Sequence, residues 1–321
     1  MIGFLLRRLG GSLALLFLVL TVTFFLIHLT PGDPTDLLLS PESSAETREQ
    51  LKRLWGLDRP LGEQYFRWLT ASLRGDWGIS FRYQEPVSDT ILRALPNTLL
   101  LAFAAAFVAF GLGIPLGIVA ARRHNRTGDH LVRIGALLFY SLPTFWLGLM
   151  GILLFSYAVP ILPAGHMSSV GAQELSRIGR VLDLLHHLAL PACILGGTIS
   201  ASVTRFVRNN LLDLADRDFL RTARAKGLSE RRVVWVHGLR NALVPVVQLL
   251  GLQLPAFLNG SLVVEVVFSW PGLGRVTLNA ILARDYPLVL ATTAFGGAMV
   301  VLGTLLADVL HAWIDPRVRD A

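Results

Sequence analysis

Ionisable residues set inside apolar runs are the places where this chain could do chemistry. Glu265 is the clearest, placed in the stretch LVVEVVFSWPGLG. Burying such a group in hydrocarbon is costly, so its presence there marks a candidate functional site. Its position near the end of the run equally suits a structural role at an interface. Just beyond it, Trp270, Pro271, Gly272 and Gly274 form an irregular connection. That connection reads either as a re-entrant turn that gates a mouth or contacts a partner, or as a loop anchored by its tryptophan. His166, His186 and His187 are the histidines to weigh for a metal. A His pair more often marks an interface, and no metal site is expected. The single cysteine, Cys193, lies in an apolar run, which excludes an intrachain disulfide and a cysteine-based metal cluster. A phosphate-cradling loop needs Gly-Lys followed by Ser or Thr. The only lysines, Lys52 and Lys226, do not follow glycine, so no enzymatic activity and no bound nucleotide are expected of this chain.

A second stretch stands out by charge. Phe219 to Arg232 reads FLRTARAKGLSERR, and Arg205 to Arg240 holds nine basic residues against Asp213, Asp216, Asp218 and Glu230. Ala223, Ala225, Arg224 and Lys226 favour helix. Gly227 is a natural left-handed stop, and Ser229 can cap a second helix beginning near Glu230. The pattern is therefore helix, sharp turn, helix. Topology signalling needs only a few arginines, and a lipid-binding segment would show bulky apolar anchors. The small residues at 223, 225 and 227 allow close backbone approach, which favours docking of a cytoplasmic partner. Nucleic acid is not expected as a partner, because the basic residues lie between apolar spans and not on one soluble face.

The elements that must position these residues follow from composition. The chain is 321 residues, 53% hydrophobic and 16% charged, with net charge +7, and its mean hydropathy is +0.56. Soluble domains carry about 25% charged residues, so an all-α integral membrane protein is expected. About six membrane helices are readable, over 9–29, 97–121, 134–158, 188–204, 242–268 and 288–307. Pro143 interrupts the third, and Pro and Gly break the fourth and fifth, which suits helices facing other helices or a pathway. The first span reads as an uncleaved signal anchor, since its apolar run is long and TPGDP follows it.

Lys and Arg near the span ends set orientation. Arg7 and Arg8, then Arg122, Arg123 and Arg126, then the 205–240 connection, then Arg317 and Arg319 fall on alternate connections. All four are assigned to the cytoplasm, with both termini. The expected organisation is a cytoplasmic N-terminus and first helix (1–30), an extracytoplasmic segment (31–95), a five-helix core (96–314) and a cytoplasmic tail (315–321). Ser43 and Glu46 have capping-box spacing before ETREQLKRLWG, which predicts a short amphipathic helix in the extracytoplasmic segment.

RTARAKG followed by LSERRVVWVHGLRNALVP resembles the cytoplasmic EAA loop of ABC-importer permease subunits, in its dipeptide/oligopeptide version. Ala223, Gly227 and Leu239 match the general pattern. Arg221 and Thr222 replace Glu and the first Ala, His237 stands for Ile, and Arg240 stands where Pro is expected. The likeness runs along nearly the whole chain, through TPGDP (30–34), GLDRPLGEQYFRWL (56–69), GDWGISF (75–81), LPNTLLL (95–101), SLPTFWLGL (141–149), HLALPA (187–192), FSWPGLGR (268–275) and RDYPLV (284–289). It implies a type I ABC importer transmembrane domain. The implied partners are a second homologous permease, two ATP-binding cassette subunits that hold ATP and Mg, an extracytoplasmic substrate-binding protein, and membrane lipid. It further implies that Arg221, Thr222, Ala223, Arg224, Ala225, Lys226, Gly227, Leu228 and Ser229 form a coupling helix seated in the ATPase. The cargo it implies is a di- or oligopeptide or, on the same fold, nickel, glutathione or another small solute. A secondary transporter would need ionisable relays deep in the spans, which are nearly absent. A membrane-tethered signalling module would need a soluble domain.

Overall fold

The structure, a computed structural model, describes residues 2–30, 34–35, 44–215, 222, 225–229, 257 and 261–314. Most of the fifth expected span, residues 216–221, 223–224 and 230–240 of the EAA segment, and the expected tail lie outside these residues. Among the described residues the regular structure is helical, apart from one isolated bridge between Ile79 and Pro86. The helices are α1 (Ile2–Leu29), α2 (Ala45–Trp55), α3 (Leu61–Leu73), α4 (Val87–Arg122), α5 (Thr127–Ser141), α6 (Thr144–Ile152), α7 (Arg177–Ala215), α8 (Leu273–Leu282) and α9 (Tyr286–Ile314). Residues 261–267 are also helical. Among the described residues four helices, α1, α4, α7 and α9, are long and apolar enough to cross a membrane.

The third expected span is not one helix. Its two halves, α5 and α6 with the wide turn Leu153–Ala158, are bent by 103°. The cause is local. Pro143 pushes the residue before it out of the helical region, and Leu142 is extended at φ −86, ψ 137. Two other expectations shift in register. Ser44, not Ser43, caps α2, accepting from the Thr47 backbone N–H at 3.2 Å, so no Glu completes a capping box. The segment 31–95 holds a second helix, α3, and α4 begins at Val87, before the expected core boundary at 95/96.

The α4–α7 pair is the spine of the molecule. Ala105, Ala109, Gly113 and Gly117 recur at every fourth position of α4, which places them on one face, and all are buried. Across from them a Cβ on Gly113 would sit 2.7 Å from Val203 Cβ, and one on Gly117 would sit 2.8 Å from the Thr204 carbonyl oxygen. A Cβ on Gly196 of α7 would meet the Ala105 carbonyl at 2.5 Å. Small residues at this spacing let two membrane helices approach backbone to backbone, where van der Waals packing and not hydrophobic transfer drives association. The contacts climb in step (105 with 196, 113 with 203, 117 with 207), so the two helices run parallel.

α1 runs antiparallel to α9. Arg8 pairs with Asp308 at 3.2 Å, Leu16 packs on Gly297, and His28 lies against Tyr286, ring centroids 4.7 Å apart. Following these directions, Arg8, the Arg122–Arg126 turn and the C-terminal ends of α7 and α9 gather at one end of the molecule. The starts of α4 and α9 gather at the other. Among the described residues, Arg8, the Arg122–Arg126 turn and Arg205 and Arg208 of α7 thus lie toward one end.

Candidate functional site

Glu265 is fully buried at the end where α4 begins. One carboxylate oxygen accepts from Thr98 Oγ1 at 2.7 Å. The other accepts from the backbone N–H groups of Gly274 at 2.7 Å and Arg275 at 3.2 Å. Thr98 Oγ1 in turn accepts from the Leu273 N–H at 2.7 Å, and Ser261 adds a side-chain hydrogen bond to the carboxylate. These three N–H groups belong to the first turn of α8 and have no partner within their own helix. Glu265 therefore serves as a non-local N-cap, with its negative charge at the positive end of the helix dipole.

The glycines beside it are spatial requirements. A Cβ on Gly272 would collide with the Glu265 carboxylate, and one on Gly274 would meet Leu262 Cα at 2.5 Å. Trp270 is wholly buried, and its indole N–H donates to the Asn97 carbonyl at 2.9 Å. The Asn97 side-chain amide returns a bond to the Pro271 carbonyl at 2.8 Å. Of the five residues singled out here, Pro271 alone is exposed. Glu265, Trp270, Gly272 and Gly274 thus converge on the first turn of the apolar part of α4, in a loop anchored by its tryptophan.

A second knot was not anticipated. Asp285 is fully buried between α8 and α9, accepting from Ser80 Oγ at 2.5 Å and from the Arg82 N–H at 3.1 Å. It ties GDWGISF to RDYPLV, two stretches known from the sequence only as separate motifs. An aspartate followed by a helix start was the signal present, since Asp285 also accepts from the Leu288 N–H at 3.3 Å.

At the opposite end, Asp129 and Arg208 form a two-pronged pair, both N···O distances 2.7 Å. Asp129 is fully buried and also accepts from the Asn125 N–H at 3.0 Å. The pair fixes the turn between α4 and α5 to α7, close to the chain that leads into the EAA segment. Of the coupling residues, Thr222, Ala225, Lys226, Gly227, Leu228 and Ser229 are described, while Arg221, Ala223 and Arg224 lie outside the described residues. Thr222 and Ala225 are helical, and the Lys226 N–H reaches the Thr222 carbonyl at 3.0 Å. Gly227 stands at φ +75, with open space where a Cβ would be. The sequence-based helix stop at Gly227 is present, and only Leu228 among these residues is partly covered. The helix expected from Glu230 lies outside the described residues.

The histidines are engaged locally. His186 Nε2 lies 2.7 Å from the Ile161 carbonyl and His187 Nδ1 lies 2.8 Å from the Asp183 carbonyl. Among the described residues no three metal-ligating side chains converge.

Comparison with known proteins decides the family. Residues 113–320 match the family described as binding-protein-dependent transport system inner membrane component, and residues 1–102 match its N-terminal companion. The chain belongs to this permease family. The oligopeptide transport system permease protein AppB of Bacillus subtilis (strain 168) is 39% identical over 320 residues, 99% of this chain and 100% of that protein. The glutathione transport system permease protein GsiC of Escherichia coli (strain K12) is 38% identical over 319 residues, 99% of each chain. Among solved structures, an inward-facing MetNI methionine ABC transporter aligns with TM-score 0.54 at 18% identity, covering 70% of this chain and 96% of that one. That likeness speaks to fold, a type I ABC importer transmembrane domain. This permease is thus a multi-pass inner-membrane subunit of a binding-protein-dependent ABC importer. It works with ATPase and substrate-binding partners.

Proposed function

We propose that this permease imports di- or oligopeptides and that its EAA segment, 205–240, transmits the closing of two ATPase subunits to the membrane helices. ATP and Mg reside in those subunits, and this chain hydrolyses nothing itself. A second homologous permease completes the pathway, a binding protein delivers cargo from outside, and both termini are cytoplasmic. The observation that carries the reading is the exposed left-handed turn at Gly227. It ends a helical turn beyond α7 with open space around it. Such an element can seat in a groove and pass on a rigid-body push, because it presents backbone and small side chains. The surrounding arginines would supply charge-assisted hydrogen bonds to the partner.

ATP-driven closure then draws two such elements together. The buried pair Asp129–Arg208 keeps the turn between α4 and α5 moving with α7. The pathway changes from inward-facing to outward-facing. Glutathione is the second reading of the cargo, favoured by the near-equal identity to the oligopeptide and glutathione permeases.

Gly227→Pro tests the coupling, since proline fixes φ near −65° against the observed +75. The expected result is a complex that assembles and binds ATP but takes up no peptide into vesicles. Uptake equal to that of the unsubstituted importer would sink the proposal. Binding titrations on the isolated binding protein, with peptides of graded length and with glutathione, then separate the two cargo readings.

A further inference from the structure

A cleft of ≈ 760 Å³ opens between α5 and α7 at the end where the basic connections gather, and its lining includes Arg133, Leu137, Tyr140, Arg205 and Arg208. It is graded from charged to apolar. On α5, Arg133, Leu137 and Tyr140 follow at helical spacing on one face, passing from the helix-end turn into the apolar run. On α7, Arg205 lies one turn inward of Arg208 and rests its guanidinium over the Tyr140 ring, 5.4 Å from the centroid. The nearby carboxylate, Asp129, is buried and engaged by Arg208 through both oxygens. Arg133 acts on Asp129 only through space; among the described residues neither Arg133 nor Arg205 forms a direct ion pair with a carboxylate, and both are exposed. The cleft therefore carries a surplus of positive charge, Arg133 nearer its mouth and Arg205 reaching in against Tyr140, beside an apolar, aromatic wall.

We infer that this cleft holds one anionic phospholipid. Its phosphodiester is met by Arg133 and Arg205, and its upper acyl chain lies along Leu137 and Tyr140. Arginine matches phosphate oxygens in planar, two-pronged geometry and is weakly enough hydrated to do so at a membrane surface. Basic pockets between membrane helices at the headgroup level suit anionic lipid. A free phosphate would find the same two arginines but would leave the apolar wall unused. The inference rests on the membrane-spanning fold and on no assumption about cargo or coupling.

The test uses the intact importer, purified in mild detergent, with bound lipids counted by mass spectrometry and re-binding measured against vesicles. The vesicles are of phosphatidylglycerol or phosphatidylcholine. Each arginine contributes about fivefold in affinity for an anionic surface, so Arg133→Gln with Arg205→Gln should lower phosphatidylglycerol retention by at least about tenfold. Phosphatidylcholine binding should be unchanged. Leu137→Trp, which fills the wall and keeps both charges, should also reduce retention, and it serves if the double variant assembles poorly. Arg74→Gln, at the other end of the molecule, should change nothing. Inorganic phosphate should not displace the lipid. Retention that ignores all cleft variants would overturn the inference. So would displacement by phosphate alone, or an assembled importer with no anionic lipid because the second permease covers the cleft.

Discussion

Glu265 shows how a single charged residue in an apolar run can be held by protein hydrogen bonds. Its carboxylate accepts four protein hydrogen bonds, from Thr98, Ser261, Gly274 and Arg275, and supplies the cap that α8 lacks locally. Removing it strands two backbone N–H groups and the Thr98 hydroxyl, and each unsatisfied buried group costs about 1–3 kcal/mol. Glu265→Ala should therefore destabilise the permease by about 3 kcal/mol or more. Glu265→Gln keeps one oxygen for the N–H pair and should cost about 1–2 kcal/mol. Thermal unfolding of the complex in nanodiscs checks this order, and equal losses for both variants would contradict the capping role. Gly274→Ala should fail by another route, since its Cβ would press on the Leu262 backbone at 2.5 Å. Overpacking of that kind costs about 1–3 kcal/mol.

Between elements, the parallel seam of α4 and α7 sets the architecture. Gly117→Val would place its Cβ 2.7 Å from Val207 Cβ and force the helices apart. The expected outcome is loss of assembled importer on size-exclusion chromatography, whereas Gly111→Val, with open space around it, should assemble normally. The Asp129–Arg208 pair ties the first turn of α5 to α7 beside the basic end of that seam. Breaking a buried pair from one side costs about 3–5 kcal/mol. Arg208→Met should fall at the low end, because its side chain retains 13% exposure. Replacing both partners with apolar residues should recover most of the loss. Much of this scale was readable in the sequence. Long apolar runs announce membrane helices, Pro143 announces a break, and Gly227 announces a helix stop. The angle at Pro143 was not readable, because proline removes a conformation without choosing the next one. Nor were the polar knots. Asp129 and Arg208 stand 79 positions apart, and Ser80 and Asp285 stand 205 apart, so only the folded helices bring them together. The four-residue rhythm of Ala105 to Gly117 was visible, but nothing in it names Val203 and Val207 as the opposing surface.

Across the whole molecule, the two ends are held differently, and acid should loosen one before the other. At the end where α4 begins, the loop before it is pinned by Glu85, which accepts from Thr90 Oγ1 at 2.6 Å and pairs with Arg93. The Thr90 hydrogen bond, reinforced by that of Arg93, holds the Glu85 carboxyl below its ordinary value of 4.5. Glu63 on α3 is lowered in the same direction, first by its hydrogen bond to Arg59. A carboxyl whose folded pKa is depressed stabilises the folded state above its unfolded pKa. That contribution is lost as pH falls through the folded value. Both contributions are therefore intact at neutral pH and fade below about pH 4.5. Both groups are solvent-accessible, so the effect is local loosening and not global unfolding. Hydrogen exchange of the permease should then show backbone amides of 80–90 and 61–67 exchanging faster at pH 4 than the intrinsic pH dependence of exchange explains. Amides along the α4–α7 seam should stay protected, because the small-residue packing there contains no carboxylate for acid to protonate. Glu85→Gln should remove the pH dependence of 80–90 and leave that of 61–67 in place. Uniform loosening of both ends would show instead that the two are one cooperative unit.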